Sequence, residues 1–100
     1  MDKMVFIVFE DYRYNGFDEG TMVYVCETIE IAIKKVKERF EWYLKNSYLN
    51  QFVDENLNII DEVLDEYDIW KIDNESVEIY IDSNDTALNI HIVEGNIINE

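Results

Sequence analysis

Carboxylate side chains dominate one short segment of the sequence, residues 54–68 (here called the acidic segment), which contains no basic residue. Its acids are Asp54, Glu55, Asp61, Glu62, Asp65, Glu66 and Asp68. The pairs Asp61–Asp65 and Glu62–Glu66 are four residues apart, and on a helix such side chains stand about 5–6 Å apart at Cβ. Neighbouring phosphates on a nucleic-acid strand have a spacing of the same order. We therefore expect a rigid acidic face that could occupy a basic nucleic-acid site and gain counterion release there.

A simpler interpretation of the acidic segment is a solvated helix face, which is the usual role of a charge run. The absence of interleaved lysines weighs against it, because ordinary surface helices mix both signs of charge. The like-charge pairs also destabilise a helix by a few tenths of a kcal/mol each, about 0.2–0.5. The segment is thus less favourable for folding than it needs to be, which indicates a binding role.

Residues 10–20 (here called the hairpin tip) form a second candidate surface, because aromatic side chains lie among acidic ones there. The aromatic residues are Tyr12, Tyr14 and Phe17, and the acids nearest to them include Asp18 and Glu19. Aromatic anchors in charged surroundings are typical of the centres of protein interfaces. The alternative is that these aromatic side chains only extend strand pairing and pack on a neighbouring element.

Side chains for catalysis or metal binding are sparse. The single histidine, His91, falls on the outward face of a predicted strand, and the single cysteine, Cys26, is expected to be a small apolar residue. One histidine and one cysteine exclude a zinc-binding pattern, and the clusters "DSNDT" and "DNES" lack the spacing and glycine of a calcium loop. We therefore predict a protein that is not an enzyme and that has no metal and no cofactor.

A β-hairpin is predicted for residues 3–27. Two runs of β-branched and aromatic residues, "MVFIVF" and "MVYVC", flank Asn15-Gly16, and this dipeptide is a strong hairpin-turn signal. The first run is apolar on both faces, as in a strand at the centre of a sheet. The expected register places Phe6 opposite Val25, Val8 opposite Val23, Ile7 opposite Tyr24 and Arg13 opposite Asp18.

Two helices are predicted after the hairpin. The first begins at Thr28, whose hydroxyl can cap it, and runs to about Lys45 or Asn46. Its apolar stripe is Ile29, Ala32, Ile33, Val36, Phe40, Tyr43 and Leu44. The second helix is predicted over about residues 54–67 from the spacing of Leu57, Ile60, Leu64 and Tyr67.

The remaining sequence predicts three strands, "IWKI", "SVEIYID" and "ALNIHIV", of which the last two alternate between apolar and polar residues. The fold class is therefore α+β, with the order ββ-α-α-βββ, an antiparallel sheet, one long amphipathic helix packed on it and a second, acidic helix. We predict that residues 1–100 form a single domain. The expected core is Phe6, Val8, Val23, Val25, Ile33, Val36, Phe40, Ile79, Ile81, Ile90 and Ile92.

The overall charge restricts the kind of partner. The chain has 100 residues and a formal net charge of -15, whereas solubility of a small domain needs a magnitude of only about 2–8. Five of the basic residues lie in residues 28–46, so most of the acidity belongs to other surfaces. Such a field repels nucleic acid and anionic membranes and attracts basic clefts. The lone cysteine and the lack of a long apolar run predict a cytoplasmic location.

In size, charge and element order, the whole chain resembles the small phage-encoded inhibitors of bacterial defence, namely anti-CRISPR proteins and anti-restriction DNA mimics. The resemblance implies a cytoplasmic inhibitor in phage counter-defence that binds a basic nuclease or effector and does not itself bind nucleic acid or membranes. It implies no residue roles. Two alternatives stay open: an immunity protein against a nuclease toxin, and a small structural or assembly domain whose charge confers solubility.

Overall fold

A computed structural model describes residues 2–98, and these residues form an α+β fold. Five strands, β1 (Asp2–Tyr14), β2 (Phe17–Cys26), β3 (Ile69–Ile72), β4 (Ser76–Ile81) and β5 (Thr86–Ile98), make one antiparallel sheet. Their order across the sheet is β2-β1-β5-β4-β3. The α-helix α1 (Ile29–Asn46) packs on one face, and short 3-10 turns occupy Tyr48–Phe52, Asp61–Val63 and Asp82–Asn84. The predicted α+β class and the central position of β1 are confirmed.

The turn of the hairpin is the one that Asn15-Gly16 predicts. Asn15 has φ 53° and Gly16 has φ 82°, as a two-residue hairpin turn with two left-handed residues requires. Arg13 pairs with Asp18, again as expected. One residue further along β1, however, Tyr12 pairs with Gly20, so Glu19 has no opposite residue. A β-bulge therefore sits in β2 next to the turn.

The bulge makes the rest of the predicted hairpin register wrong by one residue. Phe6 lies opposite Cys26 and Val8 opposite Tyr24. Because side chains alternate between the two faces of a strand, a shift of one residue exchanges the faces. Tyr24 and Cys26 consequently point toward α1, whereas Val23 and Val25, which we expected in the core, are exposed on the other face.

Helix α1 confirms the predicted stripe in its main features. The Thr28 hydroxyl accepts a hydrogen bond from the Ile31 amide at 3.1 Å and caps the first turn. The helix lies over β1, β5, β4 and β2, and the core forms between them. Among the predicted core residues, Val8, Val36, Ile79, Ile81 and Ile90 are buried, whereas Phe6, Ile33, Phe40 and Ile92 are half-buried at its margin. No helix of the described chain is long and apolar enough to cross a membrane.

The predicted second helix is wrong, and the element order of residues 2–98 is ββ-α-βββ. The acidic segment is irregular apart from the 3-10 turn at Asp61–Val63. The Asp54 carboxylate accepts hydrogen bonds from the amides of Asn56 and Asn58, at 2.8 and 3.0 Å. Asp and Asn side chains that bind nearby amides compete with helix formation. Leu57, with φ 63°, adopts a left-handed conformation that interrupts any helix here.

The apolar residues of the acidic segment still reach the core, although not as a helix stripe. Leu57, Ile59 and Leu64 pack against it, and Val53 forms a β-bridge with Ile59. Tyr67, expected on the apolar face, is exposed. Of the four residues whose spacing predicted a helix, only Leu57 and Leu64 pack on the core.

The opposite face of the sheet has no helix over it in the described chain. Exposed apolar side chains, including Val23, Val25, Val93 and Ile97, lie there. The Phe9 ring stacks on the His91 ring at 5.4 Å. His91 therefore lies on the outward face of its strand, as predicted.

Candidate functional site

The two candidate surfaces meet at one end of the sheet, through the turn between β4 and β5. The Asp68 carboxylate accepts a hydrogen bond from the Asp82 amide at 2.9 Å. On the other side of this turn, the Asp85 carbonyl accepts from the Gly16 amide at 2.9 Å, and the Arg13 guanidinium lies 3.4 Å from the Asp85 carboxylate. The acidic segment, the hairpin tip and residues 82–85 together form what we call the acidic end.

The carboxylates of the acidic segment divide into two groups. Asp54, Asp65 and Asp68 accept hydrogen bonds from backbone amides and hold the loop in shape. The second group makes no hydrogen bond or ion pair with another residue of the described range 2–98. It consists of Glu55, Asp61, Glu62 and Glu66, all of them exposed. These four side chains are available to a partner.

Basic residues compensate little of the charge at the acidic end. Arg13 is the one basic residue in the hairpin tip, and it is already shared between Asp18 at 3.8 Å and Asp85 at 3.4 Å. Three lysines, Lys34, Lys35 and Lys37, lie in the first half of α1, which starts beside the other end of the hairpin. Most of the lysines of α1 therefore lie away from the acidic end.

A cleft of about 420 Å³ opens between the hairpin tip and the C-terminal end of α1. We call it the aromatic cleft. Its walls are Tyr12, Tyr14, Trp42, Tyr43 and Tyr48, together with the polar residues Glu19, Asn46 and Ser47. Ring centroids are 4.9 Å apart for Tyr12 and Tyr43 and 5.5 Å apart for Tyr14 and Tyr48. Glu19, which lines this cleft, is the extra residue of the β2 bulge.

The three predicted aromatic residues of the hairpin tip differ in their surroundings, and each fits either the packing or the binding interpretation. Tyr12 is buried against α1, as in the packing interpretation. Tyr14 and Phe17 are exposed large apolar side chains, as in the binding interpretation. The sequence prediction did not include Trp42 of α1 and Tyr48 of the following turn, which complete the wall of the aromatic cleft. Trp42 lies outside the apolar stripe of α1, and an indole on the polar side of a helix was the signal that could have found it.

Beside the cleft lies a buried carboxylate that the sequence did not single out. Glu10 is only 1% exposed, and its two oxygens accept from Arg39 at 2.6 and 3.0 Å and from the Tyr43 hydroxyl at 2.6 Å. The Tyr24 hydroxyl donates at 3.3 Å. Burial raises the pKa of Glu10, but the hydrogen bonds from Arg39 and Tyr43 outweigh burial and leave that pKa below its usual value. Burial and the Glu10 carboxylate raise the pKa of Tyr43.

The arrangement as a whole is suited to binding through charge and aromatic surface. Cys26 is buried and His91 is exposed on the far face of the sheet, so they lie apart. Within residues 2–98, no three side chains of the metal-binding types come together. Comparisons with protein-family models, with curated protein sequences and with solved structures found no match to this chain.

Proposed function

We propose that this protein is a non-enzymatic inhibitor that binds a basic nucleic-acid-binding enzyme, a nuclease or a defence effector, through its acidic end. The observation that carries the proposal is the group of exposed carboxylates in the acidic segment that pair with no other residue of the range 2–98, on a chain whose net charge is -15. Carboxylates at a basic nucleic-acid channel replace phosphates as counter-charges and release the same bound ions. A role in phage counter-defence, as for anti-CRISPR proteins, belongs to the same proposal.

The absence of the second helix changes how the imitation would work. The four available carboxylates follow an irregular loop, so their spacing is not the helical one that we expected. Hydrogen bonds from backbone amides to the carboxylates of Asp54, Asp65 and Asp68 nevertheless hold this loop in one shape. We therefore propose an imitation of nucleic-acid charge density by a fixed loop, and not of phosphate spacing by a helix.

A second candidate function is an immunity protein against a nuclease toxin. The aromatic cleft and the exposed Phe17 favour it, because aromatic anchors beside carboxylates can bind an exosite without entering the nucleic-acid channel. A structural or assembly domain is the third candidate, and it predicts no binding to such enzymes. Competition with nucleic acid separates the first candidate from the other two.

The test compares two variants that lose the same amount of charge. In the first, Glu55→Gln, Asp61→Asn, Glu62→Gln and Glu66→Gln neutralise the available carboxylates. In the matched control, Glu27→Gln, Glu30→Gln, Glu38→Gln and Glu41→Gln neutralise four acids on or beside α1. Both proteins are titrated into purified RNA-guided nucleases, restriction endonucleases and nuclease toxins that hold fluorescent nucleic acid, and the displacement is measured by anisotropy.

We expect the parent protein to displace nucleic acid from at least one of these enzymes, and the displacement to weaken steeply as salt increases. The acidic-segment variant should displace it about tenfold less well, and the control variant about as well as the parent. An enzyme that holds the protein and its nucleic acid at once would rule out occupancy of the channel. Equal losses in the two variants would mean that net charge alone acts, without a specific surface.

A further inference from the structure

We infer that the aromatic cleft is a binding site for the guanidinium group of an arginine side chain. The inference deepens the proposed function and rests on it in one respect, namely that the partner surface is basic. The cleft has a volume of about 420 Å³, within the usual range for sites that hold small ligands, about 300–1,000 Å³. Its walls combine flat aromatic rings with a few polar groups, which is the composition of a specific site.

The charge of the cleft favours a cation. Glu10 and Arg39 neutralise each other at 2.6 Å, and Glu19 is the one charged residue among the described residues of the cleft wall. The Glu19 side chain makes no ion pair or hydrogen bond with any other described residue, and it is exposed. The C-terminal end of α1 contributes Asn46 and Ser47 to the wall, and the partial negative charge at a helix C-terminus also attracts cations.

The rings of the cleft already hold a guanidinium of the chain itself. The central carbon of the Arg39 guanidinium lies 5.0 Å from the centre of the Trp42 ring and 5.6 Å from that of Tyr43. These distances are within the range of cation–π contact, about 6 Å. Trp42 nevertheless stays 45% exposed, so part of its indole surface is open to a second group.

The polar groups select a guanidinium from among the cations. Asn46, in the cleft wall, donates from its side-chain Nδ2 to the Trp42 carbonyl at 2.9 Å, and its side-chain oxygen makes no hydrogen bond with another described residue. Glu19 supplies two more acceptor oxygens. A guanidinium has five N–H donors in a plane, is weakly hydrated and stacks on aromatic faces. A lysine ammonium is a strongly hydrated point charge, and a quaternary ammonium group donates no hydrogen bond.

An apolar side chain is the competing occupant, since the exposed parts of Tyr14 and Trp42 would also bury against it. It would, however, cover the Glu19 carboxylate without giving it a partner, and an unpaired buried carboxylate is strongly unfavourable. A cationic occupant can make a cation–π contact with the rings and an ion pair with the Glu19 carboxylate at the same time.

The test uses the free protein and small probes, so no partner enzyme is needed. N-acetyl-arginine amide is titrated into the ¹⁵N-labelled chain, and the shifts of the Trp42 indole N–H and of the Tyr14, Glu19 and Ser47 amides are followed by NMR. N-acetyl-citrulline amide has nearly the same shape without the charge, and N-acetyl-leucine amide represents the apolar occupant. The variants are Glu19→Gln and Trp42→Leu, with Glu30→Gln, in the first turn of α1, as a control that removes one exposed charge outside the cleft.

We expect saturable shifts at these positions with the arginine probe and none with citrulline or leucine. Glu19→Gln should weaken binding of the arginine probe about fivefold or more, and Glu30→Gln should leave it unchanged. Three results would each overturn the inference. They are equal binding of the citrulline or leucine probe, arginine binding that is unchanged in both Glu19→Gln and Trp42→Leu, and the absence of a saturable shift with the arginine probe. If the protein displaces nucleic acid from an enzyme but does not bind the arginine probe, this inference is wrong and the proposed function still stands. If the protein binds the arginine probe but displaces nucleic acid from none of the enzymes, only the proposed function is wrong.

Discussion

At the scale of single residues, Glu10 is the clearest departure from what its position in the sequence suggests. It lies in an acidic run on a strand, yet it is buried and receives hydrogen bonds from Arg39, Tyr43 and Tyr24. Two of these donors, Arg39 and Tyr43, belong to α1. The network therefore fixes the position of the helix on β1 and, through Tyr43, the wall of the aromatic cleft.

Glu10→Gln should destabilise the protein by about 3 kcal/mol, because it leaves the partly buried Arg39 without its counter-charge. The measurement is urea unfolding followed by circular dichroism. Glu78→Gln is the matched control, since Glu78 also lies on a strand but is exposed and pairs with Lys71 only at 3.9 Å. Similar losses in the two variants would show that burial of the Glu10 pair adds nothing to stability.

The lowered pKa of Glu10 also predicts how its contribution depends on pH. A carboxylate whose pKa is lower in the folded state contributes its stabilisation fully above its usual pKa, near 4.5. That contribution is lost as the pH falls through the folded-state pKa. The difference in unfolding free energy between the parent and Glu10→Gln should thus be constant at neutral pH and shrink below about pH 4.5. A difference that grows on acidification would contradict the prediction.

At the scale of elements, the acidic segment explains part of its own composition. Asp54, Asp65 and Asp68 satisfy amides that an irregular loop leaves without partners in a helix or sheet. These acids would be needed in such a loop whatever the protein binds. The four remaining acids of the segment have no such role in the described structure, and they are the ones that call for a functional explanation.

Asp68→Ala should loosen the junction between the acidic segment and the β4–β5 turn, since one carboxylate bonds the amides of both Asp65 and Asp82. We expect a loss of about 1–2 kcal/mol and faster hydrogen exchange at those two amides. Glu66→Ala, in the same loop but without a hydrogen bond to a described residue, should leave exchange there unchanged. If Asp68→Ala leaves both amides as protected as in the parent, the carboxylate does not hold the junction.

The hairpin, α1 and the three later strands could be predicted because their signals are local: Asn15-Gly16, the Thr28 cap and the alternation in β4 and β5. The acidic segment could not, because the spacing of Leu57 and Leu64 fits a helix as well as a loop that touches the core twice. The bulge at Glu19 was also missed, and as a result Val23 was assigned to the wrong face of the sheet. The aromatic cleft depends on Trp42 meeting the hairpin tip, which no short stretch of sequence contains.

At the scale of the whole molecule, the net charge of -15 acts against the fold as a long-range repulsion. Raising the salt concentration from about 0.05 to about 0.5 M should therefore raise the melting temperature, because salt screens exposed charges. The buried Glu10–Arg39 pair is screened much less. The variant with neutral residues at positions 55, 61, 62 and 66 should respond less to salt than the parent. A melting temperature that falls with salt would mean that attractive surface pairs dominate.

The pairing of β1 with β5 inside the sheet has a consequence for the order of folding. β1 and β5 pair along their whole length, from Asp2–Ile98 to Arg13–Ala87, although they are the first and last strands of the described chain. The β1–β2 hairpin with α1 and the β3–β4–β5 meander are local units, but neither completes the core alone. Topologies dominated by such distant pairings fold slowly, on the order of milliseconds to seconds. Until β5 pairs with β1, the inner edge of β1 remains open, and an open strand edge can pair with a strand of another chain.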